Sequence, residues 1–195
     1  MTSASTVNRM RKVIAWVFNY SLDGLLADRG TPFLDYCLRQ DADPQNFEQQ
    51  LQLYRTAHAL MMGRTTYEGM AKNLPGTDSP FAPVMEAANK VVFSTTMQTA
   101  EWANTTIASG DTTEEIDKLR NGGDGHIVVF GGVTLWRSLM RLDLIDEWRF
   151  DLYPWIAGEG TRLFEDVPKN HELELVSSKP STVNGLLELT YQRRR

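Results

Sequence analysis

The stretch IVVFGGVTLWRSLM, Ile127 to Met140, decides how the rest of the chain is read. Ile127, Val128, Val129 and Phe130 are β-branched or aromatic, as in a short buried strand. Two glycines follow. Then Leu135, Leu139 and Leu142 recur at helical spacing, with Arg137 and Arg141 on another face. A strand that ends in glycines and opens a helix gathers backbone N–H groups and the positive end of a helix dipole at one point. Such a point suits a phosphate. It suits a plain tight turn equally well, so the rest of the chain has to decide.

Working outward, two more strand ends carry the same kinds of residue. Ala59 to Met62 is a short apolar strand, followed at once by Gly63 and the helix-like RTTYEGM, so Gly63, Arg64, Thr65 and Thr66 fall at a strand–helix junction. Lys90 to Ser94 (KVVFS) is another strand, and it runs out into Ser94, Thr95 and Thr96. In an open α/β sheet, ligands bind beyond the carboxyl ends of the parallel strands. Each junction alone is an ordinary turn. Together, glycines, hydroxyls and one arginine at three such ends make an anion site.

The remaining segments supply the frame. Val13 to Asn19 reads as the first strand, and YSLDGLLADRGTP after it as turn-rich. Phe47, Leu51 and Tyr54 share one face, which predicts a helix from Pro44 to Thr56 with Asp43 as its cap. Pro75 to Pro83 reads as a loop, Val84 to Ala88 as one helical turn and Thr105 to Ala108 as a brief strand. A helix from Thr113 to Arg120, capped by Thr112 or Thr113, leads to the glycine-rich NGGDG. Glu147 to Ile156 is strand-like, and Leu173 to Ser177 with Leu186 to Gln192 form a closing hairpin around Val183-Asn184-Gly185. Strands alternate with helices up to an antiparallel end, which predicts an α/β domain with a mainly parallel sheet and one hairpin edge. Residues 1–10 are expected to be a disordered lead, and 11–195 a single domain.

Composition excludes several function classes. The chain has 195 residues, 42% of them hydrophobic, enough for a substantial core. A net charge of −5 and a pI near 5.2 argue against a nucleic-acid binder held by phosphate contacts. Arg193, Arg194 and Arg195 read as a solvated, frayed end. Cys37 stands alone, and His58, His126 and His171 lack metal-ligand spacing, so neither a disulfide framework nor a metal site is expected. No apolar run approaches the roughly 20 residues needed to span a bilayer, and MTSASTVNRMRK lacks the apolar core of a signal peptide. A cytoplasmic protein with no membrane partner is expected. GxGxxG, Walker A and GxSxG patterns are all missing.

Ser21-Leu22-Asp23-Gly24, MGRTTYEGM, KVVFST, VVFGGVTLWRSL and PWIAGEGTRLFED follow one another in this order between Arg11 and Arg193. By these landmarks the chain resembles the dihydrofolate reductase superfamily, in the branch related to the C-terminal reductase domain of riboflavin biosynthesis. The resemblance implies a three-layer α/β/α fold with a mixed, mainly parallel sheet and an antiparallel C-terminal hairpin. It also implies bound NADPH and a homodimer. Carried onto this sequence, Arg64 would pair with the 2′-phosphate, assisted by Ser94 and Thr95, while Thr65 and Thr66 donate to the pyrophosphate. Gly131 and Gly132, whose peptide bond is often cis in relatives, would let the backbone approach the cofactor, with Val133, Thr134 and Leu135 at the helix start. A guanidinium fork suits a phosphate monoester better than a ribose hydroxyl, which favours NADPH over NADH. The alternative for Arg64 is a surface ion pair with Glu68, four residues on.

On the substrate side the sequence departs from the folate enzyme, whose carboxylate lies in its first main helix. The nearest position here is Glu48, which matches only with a small shift and more simply faces water, so folate reduction is not expected to be the main activity. Asp23 falls in the loop that covers the nicotinamide and substrate in relatives, but beside Gly24 it is also an ordinary turn former. Strand alternation puts Asp151 and Tyr153 on one face and Phe150 and Leu152 on the other. A carboxylate in a central strand is costly unless it is paired or sits at a site; an exposed strand end is the bland alternative. Trp16, Trp136 and Trp155 offer flat apolar surface, with Trp136 read as core and Trp155 as a pocket rim or subunit contact. Asp151 and Glu48 are thus the catalytic candidates, and Asp23, Tyr153 and Trp16 the substrate-side ones. Without an HxE…PCxxC pattern no fused deaminase is expected. The expectation is a stand-alone, NADPH-dependent reductase, resembling 5-amino-6-(5-phosphoribosylamino)uracil reductase, that passes a hydride to a small heteroaromatic or sugar-amine substrate. The rival is a non-catalytic nucleotide-, flavin- or folate-binding protein on the same fold.

Overall fold

A computed structural model describes residues 11–167 and 170–194; the expected lead at 1–10 and the final Arg195 lie outside them. The chain runs β1 (Val13–Ser21), α1 (Pro32–Arg39), α2 (Pro44–Arg55), β2 (Ala59–Gly63), α3 (Arg64–Asn73), α4 (Phe81–Ala87), β3 (Lys90–Phe93) and β4 (Thr105–Ala108). It continues with α5 (Thr112–Asn121), β5 (Ile127–Gly131), α6 (Val133–Arg141), β6 (Glu147–Tyr153), β7 (Leu173–Pro180) and β8 (Leu187–Arg193).

The strands form one eight-stranded sheet in the order β4-β3-β2-β5-β1-β6-β8-β7. Pairing is parallel from β4 through β6 and antiparallel at β8 and β7. The first residues of β1 and β5 are buried on both faces, which is why they read as continuous apolar runs. One face of the sheet packs on Ile116 of α5 and on Leu135, Trp136 and Leu139 of α6. The other packs on Leu51 and Tyr54 of α2, Tyr67 of α3 and Val84 and Met85 of α4. Three layers result. The fold has the expected class, a mixed, mainly parallel sheet with an antiparallel C-terminal hairpin. Because the strands from β4 through β6 run parallel, their carboxyl ends open on one edge, and β5, inserted between β2 and β1, ends at its middle.

Several local readings are corrected. The turn-rich segment after β1 leads into a helix the sequence reading did not assign, α1, capped by Thr31, whose Oγ1 accepts from the Leu34 N–H at 3.3 Å; Phe33 and Cys37 are its buried face. Proline takes the first helical position there, where its missing N–H costs nothing. The same reasoning extends α4 back to Phe81, so Pro83 lies in its first turn and not in a loop. The cap of α5 is Asp111, which accepts from Thr113 and Glu114 N–H at 2.9 and 3.1 Å, in place of either threonine. β6 ends at Tyr153, before Pro154. β7 runs on to Pro180, which an edge strand tolerates. Arg193 is the last residue of β8 and pairs with Asp143 at 2.8 Å, so it is no frayed end.

Candidate active site

Four strand ends meet at the carboxyl edge. Gly63 pairs with Phe93, Phe93 with Ala108, and Met62 with Gly131, so β2, β3, β4 and β5 finish nearly level. Beyond them lies a cavity of about 750 Å³. Its walls include Arg64, Thr65 and Thr66 from α3, Ser94 and Thr95 after β3, and Gly132, Val133, Thr134 and Leu135 from the start of α6. Helices α3 and α6 both begin here on a glycine, and neither Gly63 nor Gly132 has a side chain to cap the first-turn N–H groups. The Gly131–Gly132 bond is cis, and Gly131 has φ +142°. A Cβ added to Gly132 would stand 3.1 Å from Thr66 Oγ1, a tight contact that would press on this wall. Arg64 is half-exposed at the rim: its Nε donates to Glu68 at 2.7 Å and its Nη1 to Thr96 Oγ1 at 3.1 Å. The ion pair weighed from the sequence therefore exists, and it holds the guanidinium beside the cavity.

On the other side of the end of β5 lies a second cleft of about 310 Å³. Phe18, Phe47, Phe81, Phe130 and Tyr153 make aromatic walls, and Asn46, Gln50, Tyr54 and Asp151 bring polar groups to it. Asp151, 8% exposed, is the centre of this group. Its Oδ1 accepts from Trp16 Nε1 at 3.0 Å, and the Asn46 side chain also bonds it. Loss of hydration outweighs both bonds and pushes its pKa up to about 7, with the charge of Glu188 adding to the rise. Glu188 is the residue directly opposite Asp151 in the β6–β8 ladder. Burial also raises the Tyr153 phenol. The Tyr54 hydroxyl is buried with no hydrogen-bond partner.

Not every sequence candidate reaches this cleft. Glu48 does not: its side chain is 64% exposed and paired with Arg55 at 2.8 Å. Asn46 and Gln50, four residues apart, carry the cleft-facing stripe of α2, so Glu48 midway between them points away. Trp16 lies behind Asp151, stacked on Phe18 at 5.8 Å, and does not line the cleft itself. Asp23 braces the loop after β1. It accepts from Ser21 Oγ at 2.7 Å and from Ala157 and Gly158 N–H at 3.0 and 2.8 Å, and these bonds pull its pKa down to about 2. Trp136 is buried in the core, and Trp155 stacks on Tyr36 at 4.6 Å. Asn46, Gln50 and Tyr54 were missed from the sequence. Their signal was present: two amides four apart on the same buried stripe as Leu51 and Tyr54, where apolar residues are the rule.

A mainly parallel sheet with a cavity of about 750 Å³ beyond its carboxyl edge and an acid-bearing cleft beside it is the architecture of the dihydrofolate reductase-like fold. The model of the RibD C-terminal domain matches residues 12–185, and the chain belongs to that family. The Bacillus subtilis protein YyaP, itself uncharacterized, is 26% identical over 178 residues, spanning 88% of this chain and 89% of the relative. A Shewanella sp. PV-4 protein assigned to riboflavin biosynthesis superposes with a TM-score of 0.77 at 25% identity, over 94% of this chain and 99% of its own. Dihydrofolate reductase of Enterococcus faecalis, solved with NADP(H), shares the fold at 18% identity, with a TM-score of 0.63 over 94% of this chain and 97% of its own. Family and fold support a reductase-like role. Among the described residues no helix is long and apolar enough to cross a membrane.

Proposed function

We propose that this chain is an NADPH-dependent reductase of a small heteroaromatic or sugar-amine molecule. The observation that carries the reading is the junction of two cavities at the end of β5: one lined by a cation, hydroxyls and two helix N-termini, the other by aromatic walls and one buried carboxyl. The first fits the dinucleotide by the chemistry of its donors. Arg64 would take the 2′-phosphate with Ser94 and Thr95 beside it, and the first turns of α3 and α6 would hold the pyrophosphate through Thr65, Thr66, Val133, Thr134 and Leu135. The missing side chain of Gly132 leaves the room such a group needs. When bound, NADPH supplies a hydride.

The chain's own residues supply placement and a proton. Phe18, Phe47, Phe81 and Phe130 exclude water and hold a flat ring between them. Asp151, with a pKa near neutrality, keeps a proton at its carboxyl while still able to release it. Trp16 and Asn46 fix the orientation of that carboxyl from behind. The family resemblance adds a homodimer in the cytoplasm to this reading.

Titration of the purified chain with NADPH and NADH, followed by tryptophan fluorescence, tests it. NADPH should bind at least tenfold more tightly than NADH, about 1.4 kcal/mol, and Arg64→Ala should abolish the preference. Failure of both nucleotides to saturate the signal would overturn the assignment.

A further inference from the structure

One cation close to the larger cavity has no role so far. Arg64 is the only lysine or arginine among the described residues that line this cavity, and it stands at the rim. The corner where α3 and α6 begin would therefore meet a pyrophosphate with neutral donors alone. Arg29 reaches toward that corner from the loop after β1. Asp28-Arg29-Gly30-Thr31 folds as a type II turn: the Thr31 N–H donates to the Asp28 carbonyl at 3.3 Å, and Gly30 takes φ +79° at the third position, as this turn requires. The turn is pinned on both sides. Asp28 Oδ2 accepts from the Thr161 N–H at 2.8 Å, and Thr31 Oγ1 donates to the Asp28 carbonyl at 2.7 Å. Arg29 is thus held at an exposed tip, and its Nη2 stands 3.4 Å from the place a Cβ on Gly69 of α3 would take. To reach α3 from β1 the side chain passes the end of β5, which lies between β2 and β1. Glycine inside a helix costs stability relative to alanine, and here it leaves bare backbone for the guanidinium to rest on. Gly69 follows Thr66 by three positions, on the flank of α3 that faces Gly132. The guanidinium therefore waits about 5.4 Å, one helical turn, from the corner. No carboxylate claims it: among the described residues its side chain makes no ion pair or hydrogen bond.

We propose that Arg29 is a second phosphate-binding residue of the larger cavity: its guanidinium leaves Gly69 and takes the pyrophosphate of the dinucleotide, while Arg64 takes the 2′-phosphate. The pinned turn confines this movement to the side chain. Arg29 then holds the part common to NADPH and NADH and adds affinity for both, and Arg64 tells the two apart. The proposal rests on the nucleotide reading of this cavity.

The test is fluorescence titration of the full chain with NADPH, NADH and adenosine 2′-monophosphate, the last carrying the 2′-phosphate and no pyrophosphate. Arg29→Ala should weaken NADPH and NADH alike by roughly tenfold, keep their ratio as in the wild type and leave adenosine 2′-monophosphate within about twofold. Arg29→Lys, which keeps the charge and loses the fork, should recover part of the loss. Arg64→Ala should give the opposite pattern, losing the preference and the binding of adenosine 2′-monophosphate. Because the Arg29 side chain is exposed and unpaired, the thermal midpoint of Arg29→Ala should match the wild type. NADPH binding to Arg29→Ala within about twofold of the wild type overturns the proposal. So does an equal loss for adenosine 2′-monophosphate, which would put Arg29 at the other phosphate or in the support of the loop. A wild-type chain that binds NADPH regardless of Arg29 keeps the reductase assignment and loses only this residue. One that saturates with no nucleotide loses both.

Discussion

At the scale of single residues, Asp151 shows how burial sets chemistry. Removing a carboxyl from water raises the cost of its charge, and here two hydrogen bonds do not make up the loss, so its pKa moves from 3.8 to about 7. A raised pKa in the folded state means that the native protein holds this proton more tightly than the unfolded chain does. The resulting stabilisation is complete below pH 4 or so and is lost as pH rises through about 7. Asp151→Asn removes the charge that causes the loss. The variant should therefore gain stability over the wild type between about pH 4 and pH 7, by up to about 4 kcal/mol at pH 8, and should gain nothing at acid pH. Urea unfolding at pH 4.5 and pH 8 checks this; a gap between variant and wild type that does not widen with pH would refute it. Glu48 makes the converse point: an exposed carboxylate paired with Arg55 has no such leverage.

At the scale of elements, the joins between helices and strands do much of the positioning. Lys90, the first residue of β3, is 0% exposed, and its Nζ donates to the carbonyls of Met85 at 2.7 Å and Ala88 at 2.8 Å. It lies 4.7 Å over the Trp102 ring. One ammonium thus closes the end of α4, where carbonyls lack helical partners, and ties that helix to the strand that leads into Ser94 and Thr95. Burial lowers its pKa, the expected cost of the arrangement. Lys90→Met keeps the length of the side chain and leaves those carbonyls unmet. It should cost roughly 3 kcal/mol, read as a drop in thermal midpoint of about 6–12 °C. A change under 2 °C would mean that water or a shifted helix end replaces the lysine.

At the scale of the molecule, the sheet separates two tasks. The larger cavity and the smaller cleft share no lining residue and meet only at the end of β5, where Phe130 faces one and Gly132 the other. Direct effects of substitutions in the two should therefore be independent. Arg64→Ala should weaken nucleotide binding, Asp151→Asn should leave nucleotide binding unchanged, and the stability changes of the two should add in the double variant to within about 0.5 kcal/mol. Calorimetry on the single and double variants reads this directly. A larger coupling would show that the end of β5 transmits between the cavities.

What the sequence by itself determined is local. Apolar runs bounded by glycines and hydroxyls mark strand ends, and β1 and β5 read as buried because both faces are covered. The mainly parallel sheet and the cavity residues at three strand ends were legible for that reason, each signal lying within a few consecutive residues. The tertiary structure alone decided the rest. Which side of α2 faces the cleft depends on how the helix is turned against the sheet, so Asn46 and Gln50 replace Glu48 there. The bond from Trp16 to Asp151 spans 135 positions, and the brace from Asp23 to Ala157 spans 134. Helix α1 was hidden for a related reason: only eight residues long, its amphipathic pattern is too short to stand out from the turns beside it, and packing of Phe33 and Cys37 settles its place. Contacts between distant segments are set by packing and desolvation, which no local pattern of residue types encodes.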